Sequence, residues 1–202
     1  MRDPNAGAAM TAPLTPRPEV LDFLLTRRSR PARTLAHPGP DRASLTLLLT
    51  AAARVPDHGK LEPWRFVVIE GAAQDRLMQL VRDRAAALSM DAEAAEKAAS
   101  AFGQGALIVA VIASPKETPK IPQWEQLLSA GAVCLSLLNA AMAAGWGANW
   151  LTGWAARDPE VLADLGAAGA EFVAGFLHIG SETAAPPDRP RPDVAAITTW
   201  LD

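Results

Sequence analysis

A single cysteine, Cys134, in 202 residues excludes an intrachain disulfide and leads us to expect a reducing, cytoplasmic setting. Positive charge is not in excess: 19 basic against 22 acidic side chains leave −3, which argues against nucleic acid held on a basic surface. His, Cys, Asp and Glu nowhere show metal-ligand spacing, and no Ser-His-Asp or Cys-His arrangement is suggested. No GxGxxG or Walker-type glycine loop is present, and no internal repeat. The first 18 residues hold four prolines and no apolar run resembling a signal-peptide core, so residues 1–17 are expected to form a mobile tail. An uninterrupted membrane span is missing too. Leu127 to Leu151 is strongly apolar, but Ser129, Ser136, Asn139 and several glycines break it and no basic flank anchors it.

What is present suits one domain, residues 18–202, with half its residues hydrophobic and a fifth charged. Apolar spacing predicts helices over Pro18–Thr26 and from Asp41, as N-cap, to about Arg54. Strands are expected at Trp64–Ile69, Ala106–Ala113 and Glu171–Gly180, with a strand or extended loop over Trp146–Leu151. Two alanine-rich helices, about 72–88 and 91–101, should flank a mobile or variable excursion near Leu88 to Asp91. A short helix should follow Asp158-Pro159. The long helix Gln123–Ala144, ended by Gly145, is apolar on all sides and must be wrapped by its own domain or a partner subunit. From about residue 184 a Pro-rich tail should run extended over a surface. The order of elements indicates an α+β sandwich and lacks regular βαβ alternation.

Three polar clusters could carry chemistry. Arg27-Arg28-Ser29, after the first helix, could grip a phosphate through two guanidiniums and a hydroxyl, or merely complement the helix dipole. Val55 to Trp64 joins a helix to a strand through Pro56, Asp57, His58, Gly59, Lys60 and Pro63. The prolines stiffen it, and its donors suit a planar polar heterocycle, although a solvated rigid turn would read the same way. Gly145 to Trp154 packs three glycines and three tryptophans into ten residues. They serve either as aromatic core or as a close backbone approach to a cofactor, with Thr152 as a donor and Trp150 or Trp154 as a flat lining. His37 and His178 are read as structural.

Together these pieces resemble the flavin-dependent nitroreductase family, in its short, single-domain NAD(P)H nitroreductase branch. Added to them are Trp124-Glu125-Gln126 and Ser129-Ala130-Gly131 in the long helix, and the match runs from about Glu19 to Gly180. The resemblance implies a three-layer α+β sandwich with a central, mainly antiparallel sheet flanked by helices. It also implies a homodimer joined through the long helix, with one FMN at each of two subunit-interface sites. Arg27, Arg28 and Ser29 would hold the FMN near its phosphate, Arg54 and His58 would be further flavin contacts, and Trp150, Leu151 and Thr152 a third. Ala140, Ala141, Met142, Ala143, Ala144 and Gly145 match the segment assigned to the nicotinamide nucleotide. Lys60 and Glu62 stand where many relatives have asparagine and glutamine, and Leu151 where some have arginine. Lys60 remains a candidate donor to the ring, and Glu62 would need Lys60 or Arg65 as a partner.

The implied activity is an FMN-dependent oxidoreductase passing hydride from NADH or NADPH to a flat acceptor, a nitroaromatic or quinone, in two steps. The flavin would carry the redox chemistry, so no protein acid or base is assigned as catalytic. Dehydrogenase- or dehalogenase-type chemistry on the same fold, or flavin binding without turnover, are the alternatives.

Overall fold

In the computed structural model residues 13–201 are described; most of the expected N-terminal tail lies outside the described residues. Helix α1 (Pro18–Thr26) starts on a proline, whose missing N–H costs nothing in a first turn. It buries no residue: Val20, Leu21, Leu24 and Leu25 are all exposed. The two-residue strand β1 (Leu35–Ala36) follows. Asp41 then caps α2 (Arg42–Ala52) by accepting from the Ser44 amide. Strand β2 (Trp64–Glu70) leads to α3 (Ala72–Ala87) and α4 (Ala92–Ser100). The expected excursion between these helices is instead a tight turn. Met90 N–H bonds back to the Ala85 carbonyl, and Asp91 caps α4 through the Ala94 amide.

Strand β3 (Leu107–Ala113) is apolar at every position, and every position is buried, as a strand covered on both faces requires. Helix α5 (Gln123–Ala143), strand β4 (Gly147–Leu151), the short helix α6 (Pro159–Asp164) and strand β5 (Phe172–Glu182) complete the set. The sheet runs β1-β5-β3-β2 with β4 also on β5, and each described pairing is antiparallel.

Alternation along β3 divides the core. Leu107, Val109 and Val111 meet Leu48 of α2 and Leu137 of α5 on one face. Ile108, Ala110 and Ile112 meet Leu77 and Val81 of α3 and Val161 of α6 on the other, where Phe102 packs edge-on to Phe176 at 5.0 Å. This is the expected three-layer α+β sandwich. The second face is pinned by Asp158, which caps α6 through the Glu160 and Val161 amides and takes three hydrogen bonds from Arg84.

Helix α5 is long and apolar enough to cross a membrane by composition alone, but one side of it is core. Its own domain therefore wraps only that side, and of the two expected ways of covering the helix a partner subunit is the one left for the other. Trp124, Leu128 and Leu135 face outward, 60%, 65% and 46% exposed.

Candidate functional site

The backbone leaves α1 at Arg27 in an extended conformation and is fixed against β4. Arg30 N–H donates to the Ala148 carbonyl at 2.9 Å, and Asn149 Nδ2 donates to the Arg30 carbonyl at 2.8 Å. Arg27 Nη2 donates to Ser29 Oγ at 2.9 Å, and Arg28 Nη1 to the Ser29 carbonyl. The Nε atoms of both arginines are buried with no partner among the described residues. Burial, then the charges of Arg191, Arg28, Arg189 and Arg30, push the Arg27 pKa below its ordinary value. Five arginines thus share one corner of the molecule, with Arg30 paired to Glu182 at 2.9 Å and Arg191 to Asp188 at 2.8 Å. A cavity of about 320 Å³ opens beside them, lined also by Met142, Gly145 and Trp146. Two guanidiniums with unmet donors, made more costly by like-charged neighbours, fit a phosphate monoester. The sequence reading missed Arg30 and could not attach Arg189 and Arg191; their only signal was two arginines in a Pro-rich tail that also holds Asp188 and Asp193.

In the loop after α2, Asp57 is consumed internally, its carboxylate accepting from the Leu61 and Glu62 amides at 3.2 and 2.7 Å. Three of the four residues 59–62 have left-handed backbone: Gly59 (φ 68°), Lys60 (φ 54°) and Glu62 (φ 49°). Two of them carry a Cβ, a strained arrangement of the kind found at ligand-binding loops. Ser129 of α5 fastens the loop, donating to the Pro56 carbonyl at 2.8 Å and accepting from Trp64 Nε1 at 3.1 Å. His58 Nδ1 lies 2.6 Å from Glu125 Oε2. Arg54, His58 and Lys60 are exposed. Neither partner expected for Glu62 pairs with it: Arg65 is engaged with Glu171 at 2.8 Å, and Lys60 and Glu62 make no ion pair among the described residues.

These two clusters do not meet within one chain. The loop is fastened at the first turns of α5 through Glu125 and Ser129, whereas the arginine cavity is lined by Met142 at its end. At 1.5 Å per residue, Glu125 and Met142 are roughly 25 Å apart along the helix.

The remaining expected residues divide by the alternation of β4. The Trp150 indole is partly buried and packs against the core beside Cys134, its Nε1 donating to the Ala174 carbonyl at 3.3 Å. Leu151 and Thr152 line a cavity on the opposite face of the sheet. Of the segment 140–145, Ala141 is fully buried in the core, Ala143 and Ala144 are exposed, and Met142 and Gly145 line the arginine cavity; Ala140 is partly buried.

Comparison with known proteins follows this geometry. The chain is 36% identical over 163 residues to a protein of Escherichia coli K12 named "Putative NAD(P)H nitroreductase YdjA", covering 81% of this chain and 88% of that one. It is 34% identical over 136 residues, 67% of this chain and 73% of the other, to a "Putative NAD(P)H nitroreductase" of Haemophilus influenzae. The fold matches that of a nitroreductase-like protein from Bacillus cereus, with a TM-score of 0.76 at 21% identity over 96% of this chain and 100% of that one. It likewise matches a nitroreductase with bound FMN from Bacteroides fragilis, at 0.71 and 21% identity over 91% and 99%. The model of the nitroreductase family matches residues 24–181, from the end of α1 to the end of β5, and the chain belongs to that family.

Proposed function

We propose that the protein is an FMN-dependent oxidoreductase that takes electrons from NADH or NADPH and reduces a flat acceptor such as a nitroaromatic or quinone. The observation that carries this reading is the pair of buried, unpartnered Nε atoms of Arg27 and Arg28, beside a cavity that Arg30 also lines and with the charges of Arg189 and Arg191 felt at Arg27. That is the donor set a flavin mononucleotide phosphate requires. The relatives named for NAD(P)H and nitro reduction, and the FMN-bound fold neighbour, support the same reading.

In this reading the working unit is a homodimer. Arg54, His58 and Lys60 are about a helix length away from Arg27 and Arg28 in their own chain, so a second copy running the opposite way along α5 supplies the other half of the site. Exposed Trp124, Leu128 and Leu135 on α5, with Val20, Leu21, Leu24 and Leu25 on α1, are the apolar surface such a partner would cover.

FMN held there would supply the two-electron redox chemistry between the nicotinamide and the acceptor. The chain's own residues bind and orient. Arg27, Arg28 and Ser29 hold the phosphate, with Arg189 and Arg191 adding positive charge. Arg54 and Lys60 place cations near the ring, where they stabilise negative charge gained on reduction. His58 is held at the loop by Glu125 through Nδ1. The covered interface excludes water, which strengthens each of these electrostatic contacts.

The test is an absorbance spectrum of the purified protein, then anaerobic titration with NADH and with NADPH. Flavin bands that bleach with either donor and return on adding a quinone are expected. Protein that stays colourless after incubation with FMN overturns the reading.

A further inference from the structure

Two carboxylates are paired at the arginine corner, and they are held differently. Glu182 Oε1 accepts from Arg30 Nε at 2.9 Å, and Asp188 Oδ1 from Arg191 Nη2 at 2.8 Å. Glu182 ends β5, in register with Leu35 of β1, and lines the cavity, so its pair with Arg30 is part of the wall. Asp188 belongs to the tail, in Pro186-Pro187-Asp188-Arg189-Pro190-Arg191-Pro192. Proline favours an extended helix of about three residues per turn, which brings residues 188 and 191 to one side of the chain. The Asp188 side chain is 71% exposed, so its contact with Arg191 can open without disturbing any packing.

The Asp188 carboxylate lies in the field of the same arginines that would meet a ligand. The Arg189 amide and then the Arg191 guanidinium hold its pKa below the ordinary carboxylate value, and the charge of Arg28 adds to them. Arg191 reaches the Arg27 carbonyl with the same Nη2, at 3.4 Å. The Nε atoms of Arg27 and Arg28 nevertheless stay buried and without a partner among the described residues. Asp188 therefore satisfies the outer guanidinium and leaves the inner two unmet. A phosphate monoester does more. It carries about two negative charges and three acceptor oxygens, enough to meet Arg27, Arg28 and Arg191 together. Displacing an exposed carboxylate costs little, because such pairs are weak in water.

We infer that Asp188 is a displaceable internal anion at this corner, holding Arg191 until a phosphate monoester draws that guanidinium away. Resting on the flavin-phosphate reading of Arg27 and Arg28, this adds the residue that sets the selectivity of the site. With Asp188 in place, Arg191 is already partly neutralised, and the carboxylate repels an incoming phosphate. Neither effect touches a ligand that has no phosphate. Asp188 thus limits how far a phosphorylated flavin is preferred over its unphosphorylated form. Glu182, fixed in β5, cannot withdraw in this way.

The test compares the purified full chain, freed of flavin, with its Asp188→Asn variant. FMN and riboflavin are titrated by flavin fluorescence, and inorganic phosphate by calorimetry. Asp188→Asn should tighten FMN about fivefold and inorganic phosphate in the same direction, and leave riboflavin unchanged. The gain should depend on Arg191: in an Arg191→Ala chain, adding Asp188→Asn should change FMN affinity less than about twofold. A residue that merely orients Arg191 towards the phosphate gives the opposite sign, so weaker FMN binding in Asp188→Asn overturns the inference. Unchanged FMN and phosphate affinities overturn it too, as does an equal gain for riboflavin. Tighter inorganic phosphate in Asp188→Asn, with no flavin bound by either chain, upholds the role of Asp188 and strikes the flavin reading alone. Normal FMN binding that ignores Asp188 does the reverse. Phosphate and FMN binding by neither chain overturns both.

Discussion

Arg191 Nη2 donates to the backbone carbonyl of Arg27 at 3.4 Å, so a residue of the C-terminal tail meets the first residue after α1. The contact is long, and its main consequence is electrostatic. It holds a second guanidinium beside one already surrounded by positive charge, an arrangement that an anion would relieve.

Removing that charge should weaken phosphate binding specifically. Arg191→Ala is expected to reduce affinity for FMN about tenfold, the scale of one charge-assisted contact of about 1.5 kcal/mol. Arg27→Ala should cost more. Riboflavin, which has no phosphate, is the control: flavin-fluorescence titration should show its affinity unchanged in Arg191→Ala.

The outward stripe of α5 should hold two copies together. Leu128→Asp and Leu135→Asp place a carboxylate where 65% and 46% exposed leucines now face outward. Each should shift the protein to monomer in sedimentation velocity, with bound flavin lost in parallel. Retention of flavin by a monomer would show that one chain suffices.

Glu171 makes stability depend on acid. Its hydrogen bonds from Arg65 outweigh partial desolvation and bring its pKa from 4.5 to about 2. A carboxylate depressed in the folded state stabilises above its unfolded pKa and loses that contribution as pH falls through the folded one. Urea melts should show this loss between about pH 4.5 and pH 2, and Glu171→Gln should flatten it. At neutral pH the variant should be destabilised by about 1–3 kcal/mol.

Asp158 is nearly buried, caps α6 and receives Arg84. Burial pushes its carboxyl pKa upward, but the Arg84 and amide hydrogen bonds exceed that and leave it lowered. Asp158→Ala removes the cap and strands Arg84, and should cost about 3–5 kcal/mol by denaturant melt.

Gly175 is a packing requirement that no turn explains. A Cβ there would collide with Trp150 Nε1, so Gly175→Ala should cost about 1–3 kcal/mol. Trp150→Leu in the same chain should recover part of that loss, giving a non-additive double-mutant cycle in thermal melts.

The secondary structure was legible because its signals are local. Asp41 and Asp158 cap the helices that follow them, and the unbroken apolar run at Ala106 to Ala113 has the length and composition of a central strand covered on both sides. The Arg27-Arg28-Ser29 cluster was legible for the same reason, as three polar residues next to one another. Pairings remote in sequence were not. Arg65 chose Glu171 over Glu62, and Asp57 turned inward to hold the loop that its charge seemed to advertise. Trp150, one of three tryptophans in ten residues, packed against the core because β4 alternates and the space over Gly175 was open to an indole.

By itself, then, the sequence determined the elements, their order, the neutral-to-acidic surface and the three polar segments from which a site could be made, because capping, periodicity and charge act over a few residues. Only the tertiary structure decided which of those segments meet. It set Arg27 and Arg28 at one end of α5 and His58 at the other, left an exposed apolar stripe between them, and drew Arg191 back across 164 residues to Arg27. Those outcomes depend on how a sheet twists its strands and on where a 21-residue helix ends, and no local run of residues encodes either.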